Sequence, residues 1–307
     1  MPGKVAISGA TGLVGTVLAA YMIEQGHEVS ALIRKPGSQP TGTHPISWDP
    51  YSESIESDKL NGHDVVINLS GAGVADSRWT NDRMKTIRES RLATTSFLSR
   101  SLVSLENKPD AFLSASAIGY YGNRDPEEQL DETGSMGEGF LADVCRDWEE
   151  STEPAEDAGI RTVHMRTGVV LDAKGGALAR MLPYFSKGFG GKFGDGKQMM
   201  SWIALGDMVR AISFIAFESS LSGPVNLVAP NPVSNAEFTK VLAAVLGRPV
   251  FAPIPAFVAR LKFGRMAEET LLAGQNVVPT KLLDDGFEFD YKFLKPALEK
   301  ILSSVAD

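Results

Sequence analysis

Val5-Ala6-Ile7-Ser8-Gly9-Ala10-Thr11-Gly12-Leu13-Val14-Gly15 is the stretch whose reading decides the fold. A short apolar run ends in three glycines, each three residues after the last. A helical pattern follows, with Val14, Val17, Leu18, Tyr21 and Met22 expected on its buried face. The segment reads as strand, tight turn and helix. Gly9 is free to take a positive φ. Gly12 lets the backbone approach a pyrophosphate, and Gly15 lets the helix pack closely on the strand. The helix start presents unpaired N–H groups and a partial positive charge to an anion. Gly9, Thr11, Gly12, Leu13, Val14 and Gly15 are therefore the expected contacts of a dinucleotide. A turn that is glycine-rich only for packing is the alternative reading of such a triplet.

Working outward, strands and helices alternate. Residues 28–33, 64–69, 111–116 and 161–166 read as strands. Residues 81–106, 138–158 and 235–246 read as helices, and Pro36 to Pro45 as a loop. This rhythm predicts an α/β fold: a doubly wound parallel sheet of Rossmann type, covered by helices on both faces. The expected organisation is a nucleotide-binding domain over 1–230, with 172–205 contributing to a smaller substrate lobe. A helical C-terminal module over 249–298 follows a proline-rich stretch at Pro249, Pro253 and Pro255.

Composition narrows the function. The chain has 307 residues, 43% hydrophobic and 22% charged, with a net charge of −8. An acidic chain without a basic stripe is a poor partner for nucleic acid or an anionic membrane. The single cysteine, Cys145, excludes an intramolecular disulfide and fits a reducing, cytoplasmic compartment. The start of the chain leads directly into the first strand, so no signal peptide is expected. No apolar run is long enough to cross a bilayer. The four histidines show no metal-ligand spacing.

Arg34, with Lys35 beside it, lies 19 positions after Gly15 at the end of the second strand. An acidic residue there would accept from a ribose 2′-hydroxyl, whereas an arginine pairs with a 2′-phosphate. A charge-assisted hydrogen bond of roughly 1.5–3 kcal/mol corresponds to a preference of about 10- to 150-fold, so the expected cofactor is NADP(H). Leu69, Ser70, Gly71 and Ala72 end a central strand where small residues admit a ribose or a nicotinamide. Lys85, Arg88 and Arg91 follow one another at a spacing of three on the long helix, where they could meet an anion or simply be solvated.

Ser114-Ala115-Ser116-Ala117-Ile118-Gly119-Tyr120-Tyr121-Gly122 ends the next strand. Together with the glycine turn and Asn68-Leu69-Ser70-Gly71, it resembles the extended short-chain dehydrogenase/reductases, the superfamily of epimerases and dehydratases. Arg166 to Leu171 is similar to their strand beside the nicotinamide, and Gly194 to Gln198 to their nucleotide-sugar loop. More narrowly, the chain resembles an atypical epimerase-like branch through Arg78-Trp79, Lys85 to Arg91, Gly175 to Leu178, Ser201-Trp202-Ile203 and the module from Pro255 to Leu298. The resemblance implies a small-molecule substrate, met by Arg78, Lys85, Gly194 and Gln198, and pairing of two copies of the chain.

The chain departs from the superfamily at its catalytic helix. Reductases of this kind use Tyr-x-x-x-Lys, in which the lysine lowers the tyrosine pKa for proton transfer. Phe140 and Val144 stand at those positions here, and neither transfers a proton. Tyr291 and Lys295 match the spacing but lie far along the chain. Ser116 and Tyr120 are the expected replacements, with Ser114 and Tyr121 as alternatives. Met199-Met200 and Ala204 also differ from the sugar-binding pattern, which weakens the case for a nucleotide-sugar substrate. A protein that holds NADPH but lost the proton relay is the rival of an oxidoreductase or epimerase.

Overall fold

The computed structural model describes residues 2–250 and 253–303; Phe251 and Ala252, in the proline-rich stretch, fall outside. Seven strands build the central sheet: β1 (Lys4–Ser8), β2 (Glu28–Ile33), β3 (His44–Asp49), β4 (Val65–Asn68), β5 (Ala111–Ala117), β6 (Arg161–Thr167) and β7 (Gly223–Leu227). Their order is β7-β6-β5-β4-β1-β2-β3, all parallel, with Ser54–Ile55 added antiparallel to β3. The chain turns back between β1 and β4, so the crevice at their C-terminal ends is a topological switch point.

Alternation along the strands sorts the two faces. Val5 and Ile7 of β1 join Val29, Ile67, Leu113, Met165 and Val225 under α1 (Leu13–Glu24) and α5 (Leu205–Phe217). Ala6, between them, points the other way with Leu32, Val66 and Phe112 toward α2 (Asn81–Val103). A strand period of two and helices on both faces make the expected three-layer sandwich.

Three local expectations are corrected. His44 and Pro45, the end of the expected loop, already belong to β3 and pair with Ser30 and Ala31 of β2. The face that α1 buries is Gly15, Leu18, Ala19 and Met22, while Val17 is exposed. Leu18 and Met22 are buried and Val14 and Tyr21 pack partly buried on the same core, as expected; only Val17 departs, with Gly15 taking the place of closest approach to the strand. The helix expected over 138–158 is two, α3 (Phe140–Glu150) and Glu153–Asp157. Pro154 in the first turn of the second piece has no N–H to continue the ladder, and the hydroxyls of Ser151 and Thr152 bond back to the Asp147 and Glu149 carbonyls.

The lobe has its own core. Leu178 and Phe185 of α4 (Gly176–Ser186) and Trp202 pack with Phe238 and Leu242 of α6 (Asn235–Val245) and with Leu294, Ala297 and Leu298 of α8 (Leu294–Ser303). The C-terminal residues are threaded through the whole molecule. Leu282, Phe287 and Phe289 enter the main core. Asn276–Val277 pairs parallel with Gln129–Leu130. Phe263, at the end of α7 (Ala256–Phe263), and Met266 pack with Trp79 and Phe140. Among the described residues no helix is long and apolar enough to cross a membrane.

Candidate functional site

The glycine turn is built as a cradle. Gly9 has φ +71°, and a Cβ there would lie 2.8 Å from the Leu69 carbonyl. At Gly15 a Cβ would come 2.2 Å from the Gly9 oxygen. A Cβ at Gly12 would meet only that oxygen, at 3.3 Å, so the outer side of the turn is open. The Gly12 N–H closes the turn onto Gly9, and the first helical bond runs from the Thr16 N–H to the Gly12 carbonyl. The N–H groups of Leu13, Val14 and Gly15 consequently have no partner within the helix. No side chain caps this helix and no acidic residue sits in its first turn. Such an end favours an anion, and the residues present fit a dinucleotide pyrophosphate. Gly175, before α4, packs against Leu13 so closely that a Cβ would lie 2.7 Å from Leu13 Cδ1. The lobe thus borders the cradle.

Arg34 and Lys35 follow β2 and are exposed. Arg34 forms no side-chain hydrogen bond or ion pair among the described residues; its charge reaches Asp49, whose carboxyl is held low mainly by the Tyr51 N–H. On the other side of β1, a buried polar network fixes the loop after β4. The Ser8 hydroxyl donates to Asn68 Oδ1 at 2.5 Å, Asn68 Nδ2 donates to Thr95 at 2.7 Å, and Trp148 Nε1 also donates to Thr95. Ser70 is tied to Asn68 and Ser8. The Ala72 N–H donates to Ser90, and Arg91 donates to the Ala72 carbonyl at 2.9 Å. Leu69 to Ala72 is therefore a shaped ledge, with Gly71 exposed on it.

The catalytic-helix positions are apolar. Phe140 meets Trp79 edge-on, with 5.2 Å between ring centroids, and Val144 is buried. Glu269, from the C-terminal residues, accepts from the Leu141 N–H and caps α3. Tyr291 packs partly buried against the core of the lobe and Lys295 is exposed. The Tyr291 N–H donates to Asp207, and Lys295 faces Glu299 on the surface.

Ser116 and Tyr121 belong to one buried cluster, with Tyr120 half-buried beside it. The Ser116 hydroxyl donates to Glu149 at 2.7 Å. Arg166 grips Glu149 through Nε and Nη2, both at 2.8 Å, and donates to the Tyr121 hydroxyl. Tyr121 in turn donates to Asn226 at 2.9 Å and is wholly buried. Burial opposes the charge of Arg166, but Glu149 more than offsets it and the guanidinium is held above its usual value. Burial pushes the Tyr121 phenol up, with Arg166 acting against it, so Tyr121 stays neutral. The Arg166 guanidinium lies 3.5 Å from the Tyr120 ring centroid. Burial pushes the Cys145 thiol up to about 12, which leaves it no nucleophilic role at neutral pH.

The residues expected to meet substrate scatter. Arg78 is exposed on the loop before α2, beside Gly264. Lys85 is exposed and 3.7 Å from Glu89. Gln198 donates to the carbonyls of Phe193 and Leu271, and Gly194 abuts Leu272. The 194–198 loop is thus held against the C-terminal residues. Sequence reasoning did not assign roles to Glu149, Asn226, Asp76 or Arg180. Asp76 bridges Arg83 of α2 and Arg180 of α4, tying the loop after β4 to the lobe. A local signal was Arg166, a charge beside the apolar Met165 in β6.

Comparison with known proteins agrees with this geometry. The model of the NAD-dependent epimerase/dehydratase family matches residues 5–227, and that of a domain of unknown function, DUF1731, matches 254–301. The epimerase family protein Mb2239 of Mycobacterium bovis is 41% identical over 294 residues, covering 96% of each chain. The crystal structure of human epimerase family protein SDR39U1 with NADPH superposes with a TM-score of 0.88 at 32% identity, over 98% of this chain and 99% of that one. A nucleoside-diphosphate sugar epimerase from Corynebacterium glutamicum gives 0.78 at 38% identity, over 99% of this chain and 59% of that one. With its glycine cradle at the switch point of the sheet, the chain belongs to the NAD-dependent epimerase/dehydratase family, as an NAD(P)-type Rossmann protein with a DUF1731 C-terminal part.

Proposed function

We propose that the molecular function of this chain is to bind NADPH across the switch point, and that it does so without the family's tyrosine–lysine proton relay. The observation that carries the reading is the open cradle of Gly9 to Gly15 in line with an exposed, unpaired Arg34. Leu13, Val14 and Gly15 would hold the pyrophosphate through their N–H groups. Arg34 and Lys35 would hold the 2′-phosphate, and the ledge Leu69 to Ala72 the nicotinamide half. NADPH bound there supplies a hydride. The human relative solved with NADPH supports the choice of cofactor. The apolar packing of Phe140 with Trp79, and the burial of Val144, support the absence of the usual relay.

A second reading, an oxidoreductase or epimerase acting on a small molecule, is favoured by the Arg166 guanidinium over the Tyr120 ring. A cation on a ring face stabilises electron density in that ring, which is what a tyrosine acid needs as it loses its proton. Ser116 is less suited, because its hydroxyl is given to Glu149.

Isothermal titration with NADPH, NADH and adenosine 2′,5′-bisphosphate tests the main reading. NADPH binds more tightly than NADH, and Arg34→Ala weakens NADPH by about 10- to 150-fold while leaving NADH unchanged. Equal affinity for the two cofactors, or a preference that survives Arg34→Ala, refutes the assignment. Turnover with a carbonyl or nucleotide-sugar panel that disappears in Tyr120→Phe would establish the second reading.

A further inference from the structure

Arg91 is a half-buried cation with no anionic partner among the described residues. Its Nη1 donates to the Ala72 and Ile87 carbonyls, both at 2.9 Å, and its guanidinium lies 4.8 Å from the Trp148 ring centroid. A Cβ at Gly71 would stand 3.3 Å from Arg91 Cγ and 3.4 Å from its Cζ, so the side chain lies against the ledge after β4. No carboxylate pairs with it among the described residues. The charged and titratable groups it feels are Cys145 and Arg83, and burial is the main influence lowering its pKa. Nearby carboxylates are engaged elsewhere: Glu149 by Arg166, Asp147 by Arg88 and Arg146, and Asp76 by Arg83 and Arg180. An arginine keeps its proton under such conditions. Carbonyls and a ring face, not an anion, meet its charge, so that charge is left to act on a ligand lying on the ledge.

We infer that Arg91 supplies an uncompensated positive charge at the nicotinamide end of the cleft, and that the protein thereby holds NADPH in preference to NADP+. The inference rests on the cofactor reading above. The two forms share every group except the ring that carries the hydride. The oxidised nicotinamide is a cation, and the reduced one is neutral. A fixed cation beside that end repels the first and is indifferent to the second. At an effective dielectric near ~20, one charge acting across roughly 12 Å discriminates on the order of tenfold, and more at shorter range. Arg91 is a positioning and selectivity residue in this role. It would make occupancy follow the redox state of the cofactor pool.

The test is a set of titrations with NADPH, NADP+ and adenosine 2′,5′-bisphosphate, which lacks the nicotinamide half. Wild-type protein is expected to bind NADPH about tenfold more tightly than NADP+. Arg91→Met should bring the two within about twofold and leave the bisphosphate affinity unchanged, while Arg91→Lys keeps the preference. A merely structural role for Arg91 would weaken all three ligands together in Arg91→Met, and that result overturns the inference. A wild-type ratio near one overturns it as well, and needs no variant to fold. If the bisphosphate and NADPH both fail to bind wild-type protein, the cofactor reading falls and this inference with it.

Discussion

Replacing Gly15 by alanine is the most demanding check on the cradle. Position 15 lies in the first turn of α1, where alanine would ordinarily stabilise a helix by roughly 0.5–1 kcal/mol over glycine. Here the added Cβ would sit 2.2 Å from the Gly9 oxygen and 2.7 Å from the Ala10 Cα, whereas real Cβ contacts essentially never fall below 3.0 Å. The turn must therefore open by at least the difference of those distances to the oxygen, 3.0 − 2.2 = 0.8 Å. The colliding atoms are backbone, and the same oxygen accepts from the Gly12 N–H, so no side-chain rotation relieves the contact. Overpacking of this kind costs typically about 1–3 kcal/mol. Subtracting the helix gain leaves a net loss near ~2 kcal/mol, at the upper part of the range because the backbone itself must move. For a chain of this length that is a fall in Tm of about 3 °C. Displacing the turn also moves the Leu13 and Val14 N–H groups, so NADPH affinity should drop at least about tenfold, the loss of roughly one charge-assisted hydrogen bond. Gly206 is the matched control. It too lies in a first helical turn, in α5, but a Cβ there meets nothing within 4 Å. Gly206→Ala should raise Tm by up to about 2 °C through helix propensity alone. Differential scanning fluorimetry and an NADPH titration on both variants decide the matter. A Gly15→Ala protein that melts at or above wild type and binds NADPH normally would refute the close-packing argument.

Three further outcomes follow from the buried network, the C-terminal tie and a histidine. Arg166→Met leaves the Glu149 carboxylate without its bidentate cation, with Ser116 still donating to it, and should cost about 3–5 kcal/mol by urea unfolding, while the double variant Arg166→Met/Glu149→Leu should recover a large part of that loss. Glu269→Ala removes the carboxylate that accepts from the Leu141 N–H, and a loss of about 0.5–2 kcal/mol is expected, with faster amide exchange at the start of α3. His63 is buried, bonded to Ser30 and to the Leu60 carbonyl, and burial lowers its pKa, against that backbone bond. A depressed folded pKa means that the unfolded state binds more protons, so the stability it contributes is present above about pH 6.5 and is lost as pH falls through the folded value. The urea midpoint of wild type should therefore decline below pH 6.5 more steeply than that of His63→Gln, and parallel declines would contradict the assignment.

Much of this molecule is local in origin and was legible in the residues. The order of strands and helices, the positive φ at Gly9, the tight packing at Gly15 and the strand end bearing Arg34 each depend on neighbours a few positions away. Backbone sterics and the periods of two and 3.6 express such things directly. The departure from Tyr-x-x-x-Lys at Phe140 and Val144 was visible as soon as the family resemblance set the positions to compare. Tertiary structure decided the rest. Ser116 and Tyr120 looked like free reactants at a strand end, yet Ser116 is bound to Glu149, 33 residues away, and Tyr120 lies under Arg166. Arg91 read as one of three helix cations, and only its approach to Ala72 separates it from Lys85 on the surface. The segment read as a closing module supplies an N-cap to α3 from 128 residues along the chain and core side chains under β1. Contacts between distant positions depend on how layers stack and on which partner reaches a buried charge first. Composition and periodicity carry no record of those pairings, because many pairings bury the same residues and only one packs without voids or unpaired charge.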